Sequence, residues 1–574
     1  MNQLVGSTTF KSNTILYLTL LCLLSFLTFC STDAIITDQE IEATVYYFNS
    51  ETGNDQNSGV SIDSPWKSLS KIDSLDLQPG DRILLAKGQE FQDPIIIKNV
   101  AGADDAPILI STYDDRTNDR SDFAFIKTQG HLNAVLVQNS SFVKIENLSI
   151  SAGPIPGEVI TERGNNIMRI GVKIDVSEFG VFENIKLKNL EIKDIFYENP
   201  GIDRGSSEVK TANGTQSYGW GIRVFNERSG SLLRNIVIDS VHVENVSHTG
   251  IKFTSPKYGD DFGIKQIQVS NSRVYKTGGP GIQMSGVYDG HIFGNKVDRS
   301  GSFDDSRKWG RGSGLWTWST SNVLIEHNSF TNANGPGDSA GAHIDFNCSN
   351  IILQYNFSAN NAGGFCEILG NNYNCSYRYN ISVNDGHRVK GENGAFQEGK
   401  VFWLSGYNGN KPRSGPFNSY FYNNTIYVTE SIQAKIAIDR MSDGILISNN
   451  IFHIEGEAKS VLGDQYNPET EGEVNTLNTV FKNNLFLHNE SWPSDYPWQD
   501  DAPMFGNAAF LNLGGFSIED YTPKNRDLIQ NKGVLINTIP SDDFGLYIGL
   551  EVKQDILGNP IVGLPDLGAI EIQQ

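Results

Sequence analysis

The stretch Asn322-Val-Leu-Ile-Glu-His-Asn328 is followed by Asn350-Ile-Ile-Leu-Gln-Tyr-Asn356, and both alternate apolar residues before closing on an asparagine. Shorter versions recur at Ser376-Tyr-Arg-Tyr-Asn380, Phe421-Tyr-Asn-Asn424, Ile445-Leu-Ile-Ser-Asn-Asn450 and Phe481-Lys-Asn-Asn484. The closing asparagines are 28, 24, 44, 26 and 34 residues apart. Period-two alternation identifies strands, and a spacing near the shortest interval fits one coil of three short strands. The longer intervals imply inserted loops. Coils stacked in register give parallel strands around an interior filled by columns of Ile, Leu, Val and Phe. The asparagines are read as turn residues, tolerant of left-handed backbone angles and able to stack as an amide ladder from coil to coil. They are assigned no chemistry.

The flanks carry further signals. Tyr46-Tyr-Phe-Asn-Ser-Glu-Thr-Gly-Asn-Asp55 reads as a strand and turn, Ser64-Pro-Trp-Lys-Ser-Leu69 as a short helix with Pro65 in its first position, and Pro79-Gly-Asp-Arg-Ile-Leu-Leu85 as a buried strand. Such a helix covers the open end of a solenoid. With Pro565-Asp-Leu-Gly-Ala-Ile-Glu571 near the C-terminus, these segments and the coils of residues 135–500 resemble the pectin-lyase-like superfamily of secreted bacterial carbohydrate-active proteins. The resemblance implies an all-β fold, a right-handed parallel β-helix with an N-terminal cap. The organisation read from the chain is a signal segment at 1–30, a cap and first coils at 31–134, the β-helix at 135–500, and a C-terminal coil and cap at 501–574.

The 574 residues include 67 acidic and 45 basic side chains, a formal charge of −22 that repels phosphate backbones and argues against nucleic acid. Lys11 precedes the apolar run Ile15 to Phe29, which has the length of a signal h-region. Leu27-Thr28-Phe29-Cys30 resembles a loose lipobox that would lipidate Cys30, although Phe29 stands where a small residue is usual. The expected destination is periplasmic, cell-surface or secreted, as a monomer. Beyond the signal segment only Cys348, Cys366 and Cys375 remain, too few for a disulfide framework, though one bridge is open to them. No zinc-finger spacing occurs, so no structural metal is expected.

Aligning the first strand of successive coils gives Ile222-Arg-Val224, Ile251-Lys-Phe253, Ile282-Gln-Met284, Leu315-Trp-Thr317, Ile344-Asp-Phe346 and Cys366-Glu-Ile368. Alternation turns the flanking residues inward, so Arg223, Lys252, Gln283, Trp316, Asp345 and Glu367 form an outward column that Trp403 extends. Aromatic rings, carboxylates and bases in one stripe suit a polysaccharide or oligosaccharide. Asp345 and Glu367 are read as stacked on adjacent strands about 4.8 Å apart, a spacing that would drive their pKa values apart and suits paired-carboxylate glycoside hydrolysis. His343 and Asp338 are further catalytic candidates. The superfamily resemblance also implies a lyase alternative, in which Asp385-Gly-His387-Arg388-Val-Lys390 would offer the base, with Ca²⁺ as an aid; hydrolysis requires no cofactor. A third alternative is a non-catalytic glycan-binding surface protein.

Overall fold

The computed structural model describes residues 43–115, 122–157, 168–197, 219–255, 263–301, 311–461, 478–496 and 498–573. The signal segment and Cys30 lie outside the described residues, as does most of the loop running from Ser302 to Arg311. Among the described residues every pair of strands is parallel, and the chain is a right-handed parallel β-helix. A representative coil contains Ser321–Glu326, Ser329–Thr331 and Ala342–Ile344, lying directly on Ser349–Gln354, Phe357–Ala359 and Gly364–Ile368. Ile351, Leu353, Cys366 and Ile368 project into one continuous apolar core.

The recurrent asparagines form a buried ladder. Asn295 donates through Nδ2 to Asn328 at 2.9 Å, Asn328 to Asn356 at 3.0 Å, Asn356 to Asn380 at 3.0 Å, and Asn380 to Asn424 at 3.0 Å. Asn424, Asn450 and Asn484 continue it, and Asp500 receives the last amide at 2.7 Å. The left-handed residue at each turn is the one before the ladder asparagine, such as His327, Tyr355, Tyr379 and Asn449. The side chain satisfies the turn while its neighbour bends it. A glycine column flanks the opposite sheet: a Cβ on Gly221, Gly250, Gly281 or Gly314 would lie 2.3–2.7 Å from the next glycine's carbonyl oxygen. That approach excludes any side chain at the corner leading into each of these strands.

Two details differ from expectation. The N-terminal 3-10 helix spans Leu69–Ser74 rather than beginning at Pro65. Pro65-Trp66 is instead extended, with Trp66 N–H donating to Tyr47 and its indole stacked on Tyr46. The chain there is held by strand pairing to the segment that contributes Phe48 to the core. The three cysteines are free and buried, so no bridge forms among them. After Met504–Phe505, which adds to the last coil, the chain returns along the flank of the helix as an irregular strap. It accepts hydrogen bonds from Asn449 at Val534, from Tyr422 at Leu550 and from Tyr355 at Gln554.

The ladder makes a stability prediction. Asn380→Ala removes an amide that donates to Leu353 and Asn424 and accepts from Asn356. It should destabilise the protein by about 1–3 kcal/mol in denaturant titration, because buried partners are left unsatisfied. Asn189→Gly in the exposed outer row, which keeps the left-handed turn, should cost under about 0.5 kcal/mol.

Candidate active site

The twelve-stranded sheet defines the working column by its register among the described residues. Arg223 pairs with Lys252, Lys252 with Gln283, Gln283 with Trp316, and Trp316 with His343. Ile344 pairs with Ile368, which sets His343 beside Glu367, and Glu367 pairs with Trp403. His343 therefore occupies the column position expected for Asp345. The inward residue that decides the register is Ala342, paired with Leu315, and its small side chain disguises it as a loop residue. Phe346, expected inside, packs outside the helix with Leu369, Trp403 and Tyr407. Asp345 keeps the outward parity two residues farther along. It is diagonal to Glu367, with backbones about 7–8 Å apart instead of stacked.

The column is not an open platform. Arg223, Lys252, Gln283, Trp316, His343, Asp345, Glu367 and Trp403 are all buried, Trp316 to 6% and Trp403 to 4% exposure. The tryptophans act as polar and packing groups: Trp316 Nε1 donates to Asp345 Oδ2 at 2.7 Å, and Lys400 Nζ sits 3.8 Å from the Trp403 ring centroid.

Three carboxyl groups gather here under different fields. Asp338 lies in the loop after Gly337, where both it and Ser339 take left-handed angles. Burial works to raise its pKa, but Arg311, which donates to both carboxylate oxygens at 3.2 Å, outweighs burial and holds Asp338 below the ordinary value. Burial pushes Asp345 up to about 7 against the N–H groups of Phe346 and Trp316, with Asp338 adding to the rise. Glu367 is raised well above its ordinary value, by burial first and Asp338 next, with Lys400 opposing. Burial also drives His343 down to about 4. Its Nδ1 is 3.2 Å from Ser313 Oγ and 3.7 Å from Glu367 Oε2. At that distance, with a neutral imidazole, the last contact is neither hydrogen bond nor ion pair. His343 Nε2 is buried without a hydrogen-bond partner.

Supporting residues went unassigned in the sequence. Gln397 Oε1 accepts from the Asp338 N–H, and Asn372 Nδ2 donates to the Asp345 carbonyl at 2.9 Å. Arg311 stands at the edge of a mixed-charge loop, its one visible signal; Asn372, Gln397 and Lys400 carry none. The basic turn serves a different purpose from that expected. Arg388 donates to the carbonyls of Gly335, Asp338 and Gln397, bracing the Asp338 loop rather than offering a base. His387 lines a neighbouring cleft of about 650 Å³ with Asn334, Arg388 and Glu392, and Lys390 is exposed. Among the described residues no group of three or more His, Cys, Asp or Glu side chains is arranged to hold a metal ion.

Fold and site together define a parallel β-helix protein with a buried cluster of carboxyl groups on one sheet. No protein-family model matches the chain. A lacto-N-biosidase of Bifidobacterium longum subsp. longum is 25% identical over 92% of the chain, which spans 36% of that relative's length. Among solved structures, the GH136 lacto-N-biosidase of Eubacterium ramulus superposes with a TM-score of 0.53 at 22% identity, covering 73% of this chain and 68% of that one. XylC in complex with xylose gives 0.52 at 11% identity, over 92% and 99%. Both structures share the fold.

The raised Asp345 pKa has a consequence for stability. A carboxyl whose folded pKa exceeds its unfolded one keeps its proton longer in the native state. Its contribution is therefore full below the unfolded value near 4 and is lost as pH rises through about 7. Asp345→Asn should match the wild-type melting temperature at pH 4 and exceed it at pH 8. Equal differences at both pH values would show that Asp345 is not raised.

Proposed function

We propose that the chain is a glycoside hydrolase acting on an oligosaccharide, with Asp345 as the proton-donating acid and Asp338 as the ionised carboxylate. The observation that carries this reading is the divergence of their fields: one carboxyl is pushed up to about 7 by burial and the other held down by Arg311. Acid and base roles are assigned by such divergence. Asp345 retains its proton near neutral pH and can protonate the departing glycosidic oxygen. Asp338 keeps its charge and can either attack the anomeric carbon or activate water; the anomeric configuration of the product separates these routes. Glu367, its pKa raised well above the ordinary value by burial, donates a hydrogen bond to the sugar in its protonated form, and the unpartnered His343 Nε2 offers a second polar contact. The lacto-N-biosidase relative supports a substrate ending in lacto-N-biose, and the oligosaccharide fits a buried rather than open site.

Oligosaccharides ending in lacto-N-biose, alongside unrelated neutral, uronic and sulfated glycans, test the reading through release of reducing ends. Hydrolysis without unsaturated product is expected. Asp345→Asn and Asp338→Asn should each lower kcat by about 10²-fold or more. Glu367→Gln should retain the most activity of the three amide variants, because glutamine mimics a protonated carboxyl. Full activity in both aspartate variants, or an ultraviolet-absorbing unsaturated product, would sink the assignment.

A further inference from the structure

We infer that the same sheet carries a second recognition point, centred on Lys252 with Gln283 beside it, which receives an acidic substituent of the glycan, either a carboxylate or a sulfate. The inference rests on the glycan-cleaving reading and names a chemical class for its substrate. Lys252 stands three strands from His343, about 14 Å along the column, within the span of a short oligosaccharide anchored at the carboxyl groups.

Lys252 is only 5% exposed, yet among the described residues it has no acidic partner and donates no hydrogen bond. Its Nζ lies 5.3 Å from the centroid of the Trp220 ring. Cation–π attraction recovers about 0.5–2 kcal/mol, less than the several kcal/mol that burying an ammonium without a counter-ion costs. Burial lowers the neighbouring cation too, Arg223, to about 10, but there Glu227 and Asp175 oppose the fall, and the guanidinium lies against both Trp220 and Phe225. Burial and Arg223 together press the Lys252 pKa well below its ordinary value, as expected for a cation short of an anion.

The surroundings are polar and equally unmet. Gln283, opposite Lys252 in the register and 2% exposed, has a buried Oε1 without a partner, and Trp220 Nε1 is likewise buried and unpaired. An amide can present either end, so Gln283 can donate to a ligand oxygen beside the ammonium. An amine that a bound oxyanion would hold protonated, flanked by neutral donors, fits an oxyanion better than a neutral hydroxyl.

The test titrates the full-length protein with matched oligosaccharide pairs differing only in a carboxylate or a sulfate ester, with glucuronate, inorganic sulfate and glucose as minimal probes. At low salt the acidic members should bind about tenfold tighter or more. Preference for the carboxylate arm would identify a uronic or sialic type of substituent, and preference for the other arm a sulfate ester. Lys252→Met should abolish the preference while melting no lower than wild type, since it removes a buried amine with no acidic partner among the described residues; Gln283→Glu should abolish it by placing a carboxylate that repels the ligand's. Equal affinity within the pairs, a preference surviving Lys252→Met, or a lower melting temperature in that variant each overturns the inference. Binding needs no turnover, so the two readings fail separately. Discrimination without cleavage contradicts only the hydrolase, and equal kcat/KM on neutral and acidic members contradicts only the acidic subsite.

Discussion

A primary amide buried between coils is satisfied only when the next coil brings a partner to the same height. The ladder from Asn295 to Asn484 applies that condition coil after coil, with Asp500 closing the open end. The glycine column applies a second condition at the other corner, where the backbones approach too closely for a Cβ. A slip by one residue would turn the apolar set outward and carry each amide away from its partner on the next coil. Register is thus over-determined, and every side chain on the working sheet inherits its neighbours from it.

The site follows from laying loops over that rigid sheet. The column is buried, and burial is the largest single influence on Asp345, Glu367, His343 and Lys252. Two arginines then separate groups that burial alone would treat alike. Arg311 grips the Asp338 carboxylate, while Arg388 holds the loop backbone from below. A fixed sheet and a braced loop place a carboxyl group of lowered pKa near two of raised pKa, a distribution that water would level.

Much of this was legible in the sequence, and the limits have physical causes. Asparagine spacing and strand alternation disclosed the coils, the ladder and the outward parity of Lys252, His343, Asp345 and Glu367. Alternation reports a face without reporting height, so it placed Asp345 where His343 stands. Ala342 is too small to announce itself as a core position. Burial of the column was invisible for another reason: the covering loops have no periodicity, and the roles of Gln397 and Arg388 depend on contacts across 59 and 50 residues. A tryptophan in such a column reads as a sugar platform until the carboxylate accepting its N–H is seen.

One buried cluster shifts three carboxyl groups differently, Asp338 below its ordinary range, Asp345 up to about 7 and Glu367 well above its ordinary range. Site-resolved carboxyl carbon NMR, following Asp338, Asp345 and Glu367 from acid to alkaline pH in the intact protein, measures it directly. Asp338 is expected to titrate below the ordinary aspartate range, Asp345 near 7, and Glu367 well above the ordinary glutamate range. Three carboxyl groups titrating together near 4 would contradict it.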